Sequence, residues 1–385
     1  MKKRYYFDHN ATTPVRPEVL DAMLPYLTEK YGNASSVHSF GRDARHAMEK
    51  SREIVATLIN ADPEEIYFTG CGTESDNIAL TGTMTSARDG KNRLITSKVE
   101  HSAIMNTAAK LKHDGFQITY IGVDEYCRTD INQLKNVIDN NTALVSIMHG
   151  NNETGVLQNI EEAAKIAHSA GAVFHTDAVQ SAGKIPIDVK KMGIDMLSMS
   201  GHKLNAPKGI GVLYIKKGLK ITPLTYGGSH ERGIRPGTEN VAGIVALAKA
   251  VDLAMQDMEN EAVTISALRD RLESEIEHVV SNVLFNGRGV PRLPGTSNIS
   301  FPGVDGEALL FSMDIEGVAA STGSACTTGE VEPSHVLVAM GREPKTAQSS
   351  LRFSMGWGTT DAGVDHILNR LPVVLNRLRS ISGGI

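Results

Sequence analysis

Apolar and polar positions along this chain follow two alternating periods. Short apolar runs at residues 65–69, 93–97, 117–122, 143–149, 172–176, 195–200 and 209–215 read as strands. The segments 73–87, 102–114, 130–140 and 160–170 between them carry apolar residues at helical spacing. Two further helices precede the first strand, at 17–30 (opened by Pro14 and Pro17) and 42–60. Strand–helix alternation predicts a mostly parallel sheet covered by helices on both faces. From 239 to about 278 the pattern predicts two long helices. The Gly- and Pro-rich stretch 286–302 then reads as a loop entering a strand. Short elements at 306–313, 317–320, 333–340, 351–355 and 360–379 complete a smaller α+β unit. The expected division is a large domain over 15–255 and a small domain built from 1–14 and 256–385.

Composition narrows the class. Of 385 residues, 39 are Lys or Arg and 44 are Asp or Glu, a net charge of −5. A weakly acidic chain without a basic block carries no electrostatic footprint for nucleic acid. The three cysteines, Cys71, Cys127 and Cys326, lie far apart, which excludes a disulfide framework and a zinc site of sequence-local ligands. The basic N-terminus lacks the apolar core of a signal peptide, and no apolar run reaches the roughly 18 residues of a spanning helix. These features predict a cytoplasmic protein that binds neither membrane nor nucleic acid directly.

In open α/β sheets, ligands bind beyond the carboxyl ends of the strands, so the residues just past each strand carry the chemistry. After 65–69 comes Gly70-Cys71-Gly72-Thr73 at a helix start. Free N–H groups, a hydroxyl and the helix dipole make an anion site there; an ordinary N-cap at Thr73 is the plain alternative. His101 comes after 93–97, where a structural histidine is as natural as a functional one. Asn151-Asn152 comes after 143–149 and suits turn chemistry or carboxylate binding equally. Asp177 ends 172–176, with Gln180 about one helical turn later. Ser200-Gly201-His202-Lys203 ends 195–200, and a lysine just past a buried strand is placed to act as a nucleophile. An anion site, an aspartate and a lysine at strand ends are the minimum set for pyridoxal 5′-phosphate. Lys203 would bind it covalently, Asp177 would pair the pyridine nitrogen, the helix N-terminus would take the phosphate, and His101 would stack on the ring.

In the smaller unit, Cys326 sits in Ser321-Thr322-Gly323-Ser324-Ala325-Cys326-Thr327-Thr328-Gly329, among small polar residues rather than the large apolar neighbours of a core cysteine. A reactive thiol and a passive surface cysteine both fit this segment. Arg352 lies on a strand with apolar neighbours and needs an anion, either a substrate carboxylate or an internal acid.

Over essentially its whole length the chain resembles the cysteine desulfurases of the NifS/IscS-like group, in the class V aminotransferase family of fold type I pyridoxal-phosphate enzymes. The resemblance rests on Asp8-His9-Asn10-Ala11-Thr12-Thr13, Thr73-Glu74-Ser75-Asp76-Asn77, Glu100-His101, Asn151-Asn152-Glu153 and His175-Thr176-Asp177-Ala178-Val179-Gln180. It continues through Ser200-Gly201-His202-Lys203, Arg235-Pro236-Gly237-Thr238-Glu239-Asn240, Gly323-Ser324-Ala325-Cys326 and Leu351-Arg352-Phe353-Ser354. It implies an aspartate-aminotransferase-like α/β fold with a seven-stranded sheet and a smaller C-terminal domain. It implies release of L-alanine from L-cysteine, with the sulfur left as a persulfide on Cys326 for iron–sulfur cluster assembly or tRNA thiolation. Lys203, His101 and Cys326 would be catalytic. Gly72, Thr73, Asp177, Gln180, Ser200 and His202 would hold the cofactor, with Thr238 reaching in from the second subunit of a homodimer. Asn152 and Arg352 would bind the substrate carboxylate. An iron–sulfur scaffold protein of the NifU/IscU type would be the partner; no metal site is expected beyond transient contact of Cys326 with a cluster. The alternatives are a selenocysteine lyase or transaminase on the same fold, or an inactive sulfur carrier. Gly70-Cys71-Gly72 departs from the family's usual Ser-Gly-Ala, and Trp357 stands where an arginine is common.

Overall fold

The computed structural model describes residues 3–87, 90–323, 326, 327 and 330–382, with the side chains of 326, 327, 330, 331 and 382 left aside. Seven strands form one sheet in the order Ile66–Thr69, Gly211–Ile215, Met196–Ser200, Val173–Asp177, Thr142–Ser146, Arg93–Ser97 and Gln117–Ile121. Only Gly211–Ile215 runs antiparallel to its neighbours, so the expected mostly parallel sheet is what forms. Its central strands are buried on both faces, which is why they read as continuous apolar runs instead of alternating ones. Apolar clusters cover both faces, one built on Ile95, Val145, Phe174 and Leu197, the other on Leu94, Leu144, Met196 and Leu213.

A second core holds Phe7, Ile299, Phe301, Phe353 and Leu371. It lies on a three-stranded antiparallel sheet, Ser350–Ser354, Thr296–Ser300 and Leu284–Asn286. The two helices expected between 239 and 278 are one, Val241–Val279, of 39 residues. No Gly or Pro interrupts it after Gly243, so its polar middle around Gln256–Glu261 continues the helix rather than ending it. Its first half buries Ile244, Leu247 and Val251 in the large core, and its second half buries Leu268, Leu272 and Ile276 in the small one. The helix expected at 17–30 is instead two short ones, Pro17–Met23 and Pro25–Thr28, because Pro25 opens a new turn.

An N-terminal strap joins the two cores. The Asn10 N–H donates to Ser354 Oγ at 2.9 Å, and its side-chain amide donates to Thr296 Oγ1 at 2.9 Å. Three residues on, the Thr13 N–H donates to the His202 carbonyl at 2.9 Å. The Asp8–Thr13 motif thereby ties the small sheet to the turn that carries Lys203.

Candidate active site

The carboxyl ends of the strands open on a cavity of about 290 Å³. Gly72, Thr73, His101, Asn152, Asp177, Gln180, Ser200, His202 and Lys203 all line it, so nine residues singled out in the sequence meet at one place. Arg352 and Thr238 are not among its lining residues.

The anion end is built by the helix Gly72–Ser86. Cys71 caps it, its Sγ accepting the Glu74 N–H at 3.4 Å, and the first N–H groups lack helical partners. A Cβ on Gly72 would meet Val179 Cγ2 at 2.6 Å and Ser200 Cβ at 3.3 Å. Glycine alone lets this helix start so close to the end of the Met196–Ser200 strand. The buried Ser200 Oγ has no hydrogen-bond partner. A hydroxyl left unsatisfied beside free amides costs energy unless an oxyanion takes it up, so the site fits a phosphate. His202 Nδ1 lies 3.1 Å from Thr12 Oγ1, and burial together with the nearby Lys203 pushes the imidazole down to about 4. It is a neutral group that binds by hydrogen bonding.

Lys203 comes next, on the short turn Gly201–Lys203. Its ammonium donates to the Asn10 carbonyl and, at 2.8 Å, to that of Ala11. Burial first, and then the cations Lys184 and Arg352, push it down to about 7. About half of it is therefore the nucleophilic amine near neutrality.

Asp177 faces it from the end of Val173–Asp177, with Oδ1 accepting the Val179 N–H at 2.8 Å. Burial raises its carboxyl, and His101 opposes that rise. A pyridinium nitrogen would supply the cation that such a buried carboxylate needs. His101 is the N-cap of the helix Ser102–His113, and its Nδ1 accepts the Ala103 N–H at 3.1 Å. That bond fixes the tautomer: in the neutral ring, Nε2 carries the proton.

Two more acids stand behind Asp177; both lie within motifs that carry the resemblance, which gives neither of them a role. Asp76 lies on the same helix as Thr73, is fully buried, and has an Oδ1 without a hydrogen-bond partner. Burial and the Asp177 charge drive it well above the carboxylate range. His175 Nε2, 3.7 Å away, provides no charge, since burial pushes that ring down to about 3. Glu100 takes the Ser97 hydroxyl at 2.6 Å and is pushed by burial up to about 8. Acids inside an apolar helix face or next to a capping histidine show no spacing that separates them from solvated ones, so only the fold reveals them.

Arg352 donates through Nη1 to the Asn152 carbonyl at 3.0 Å and through Nη2 to Asp8 at 2.8 Å. Its buried Nε has no partner. Thr238 is exposed, just ahead of the N-cap Asn240. The backbone of Cys326 lies in a two-residue strand, Cys326–Thr327, paired with Glu330–Val331; residues 324, 325, 328 and 329 lie outside the described residues. The flanks of this segment converge on Glu153. Ser334 Oγ donates to its Oε2 at 2.5 Å, and a Cβ on Gly323 would come within 2.1 Å of the same oxygen. Glu153 adjoins Asn152, so the Cys326 segment is rooted at the rim of the cavity.

The aminotransferase class-V family model matches residues 5–367. A cysteine desulfurase of Trichormus azollae is 47% identical over 377 residues, covering 98% of this chain and 94% of the relative. Cysteine desulfurase IscS of Dictyoglomus turgidum is 46% identical over 382 residues, covering 99% and 97%. Among solved structures, a NifS-like protein superimposes with a TM-score of 0.91 at 37% identity, covering 97% of this chain and all of its own. SspA in complex with cysteine superimposes with a TM-score of 0.81 at 35% identity, covering 91% and 99%. No helix among the described residues is long and apolar enough to cross a membrane. With a strand-end lysine, aspartate and anion cradle that fit pyridoxal phosphate, the chain belongs to the class-V aminotransferase family, as one of its pyridoxal-phosphate-dependent cysteine desulfurases.

Proposed function

We propose that Cys326 takes the sulfur of L-cysteine held in the cavity between Lys203 and Asp177. The observation that carries this reading is the convergence of Lys203, Asp177 and His101 on one cavity, with the roots of the Cys326 segment on Glu153 at its rim. Pyridoxal phosphate, when bound, supplies an electron sink next to the substrate's Cα. Ser200, Thr73, His202 and the first amides of the Gly72–Ser86 helix would hold its phosphate, Asp177 its ring nitrogen, Gln180 its ring oxygen and Lys203 its aldehyde carbon.

The side chains divide the work around it. Lys203 Nζ, neutral in part at pH 7, takes the Cα proton of the substrate. His101 presents Nε2–H toward the same region and returns a proton. Arg352 and Asn152 fix the substrate carboxylate, with the guanidinium N–H groups that Asp8 and the Asn152 carbonyl leave free as donors. The Cys326 thiolate attacks the substrate sulfur; an S–S bond forms as the Cβ–S bond breaks, leaving a persulfide and releasing alanine.

In this reading Thr238 completes the phosphate site of a second copy in a homodimer. The persulfide passes to an iron–sulfur scaffold of the NifU/IscU type in the cytoplasm. The chain divides near residue 255, a boundary supported by the two separate cores that the Val241–Val279 helix enters in turn. The test is alanine formed from L-cysteine by the loaded protein under reductant, wild type beside Cys326→Ala. Alanine from the wild type alone is expected; equal alanine from both overturns the role of Cys326.

A further inference from the structure

Lys184 stands outside every motif that the function absorbs. It lines a second, smaller cavity of about 50 Å³ between the two cores, with Arg16, Glu261 and Trp357. Lys203 lines both cavities, whereas Gln180 lines the first and Lys184 the second. A hydrogen-bonded chain crosses between them. Lys184 Nζ donates to Gln180 Oε1 at 3.4 Å, and Gln180 Nε2 donates to the Asn10 carbonyl at 2.9 Å. That same carbonyl accepts Lys203 Nζ.

The two partners of Gln180 leave its amide one orientation. An ammonium only donates, and a backbone carbonyl only accepts. Turned over, the amide would set N–H against ammonium and oxygen against carbonyl oxygen, making both contacts repulsive. We propose that Lys184 is a positioning residue: by holding Gln180 Oε1 it keeps the second Nε2–H pointing into the cofactor cavity as a donor. This rests on the reading of Gln180 as the contact of the cofactor's ring oxygen, an acceptor that an inverted amide would repel.

The local backbone is shaped for the contact. After Asp177 the chain makes helix-like turns, Ala182 N–H donating to Ala178 O at 2.9 Å and Lys184 N–H to Ser181 O at 3.1 Å. The turn brings the side chains of 180 and 184 together, as their hydrogen bond shows. Gly183 between them has φ +70°, and a Cβ there would come within 2.2 Å of Leu204 Cδ2. The charged and titratable groups around Lys184 are Glu261, which favours its cation, and Arg352, Lys203, His9 and His202, which oppose it or are opposed by it. Burial lowers Lys184 to about 8, so it remains mostly the donor cation at pH 7.

A donor to the ring oxygen stabilises its anionic form, so losing that donor raises the pH midpoint of the holoenzyme's visible absorption change. Gln180→Ala is expected to raise this midpoint by about one pH unit, the scale of one hydrogen bond to a charged atom. Lys184→Met is expected to raise it by a similar amount, with Lys184→Arg restoring it. In the Gln180→Ala background Lys184→Met should shift it no further, because the lysine acts through the amide. Apoprotein titrated with pyridoxal phosphate should show the same non-additivity in Kd. Lys184→Leu, which also removes the donor, repeats the cycle should the methionine variant fail to fold. Equal shifts from Lys184→Met with and without Gln180 would make the lysine a bare charge and overturn the proposal, as would a silent Lys184→Met beside a shifted Gln180→Ala. A silent Gln180→Ala would remove the reading of Gln180 itself, and the proposal with it.

Discussion

The two halves of the site are held in opposite ways. The cofactor half hangs on the ends of a seven-stranded sheet: Asp177, Ser200 and the turn of Lys203 lie at the ends of adjacent parallel strands, and Gly72 starts a helix so near Ser200 that a Cβ there would meet its side chain at 3.3 Å. The half that would accept the sulfur hangs on a strand of two residues, Cys326–Thr327, whose flanks reach the rim through Gly323 and Ser334 on Glu153. The contrast comes from the chemistry. Orienting a flat ring needs donors fixed to within tenths of an ångström, and ladders of backbone bonds provide that. A thiol that meets first a substrate and then an acceptor is better carried on a peripheral segment.

Substitutions on either side test this division. Lys203→Ala should abolish both functions: alanine output falls by about 10³-fold or more, and the protein stays colourless when pyridoxal phosphate is added. Retained multiple turnover would break the assignment. Cys326→Ala should separate the halves, with sulfur transfer down by about 10²-fold or more while the visible spectrum of the loaded protein is unchanged. Loss of colour in that variant would mean that the two halves are one unit.

Smaller effects sharpen the same line. Ser200→Ala should weaken cofactor binding by about tenfold, the cost of one hydrogen bond to an anion, with little effect on turnover at saturating cofactor. Gly323→Ala places a carbon against the Glu153 carboxylate and should slow sulfur transfer by about threefold to tenfold without changing cofactor affinity. Equal damage to both would contradict the division. Loading of the apoprotein depends on the neutral Lys203 amine, the form above its pKa of about 7. The loading rate should fall about fivefold from pH 7 to pH 6 and rise only about twofold from pH 7 to pH 9.

The cofactor half was open to sequence reasoning because each of its residues sits just past a strand whose apolar run is unmistakable. Thr73, His101, Asp177 and Lys203 could be found simply by looking beyond the end of each run. The remainder depends on contacts that no local pattern encodes. Arg352 reaches Asp8 across 344 residues, so its partner could not be read from either neighbourhood. Asp76 and Glu100 look like ordinary polar residues until burial removes their solvent. Lys184 becomes informative only when Gln180 and Asn10 are seen to have no other compatible arrangement. The stretch 239–278, which reads as two helices, is one that passes from the first core into the second, a distinction that requires knowing where both cores lie.

That single helix, about 58 Å long at 1.5 Å per residue, leaves the molecule without a severable joint at its middle. A protease could cut near Gln256 only after unwinding the helix, and the cut would leave each core its own half of the helix without the rod that fixes their spacing. The two cores should accordingly melt in one calorimetric transition in the intact chain and in two after such a cut.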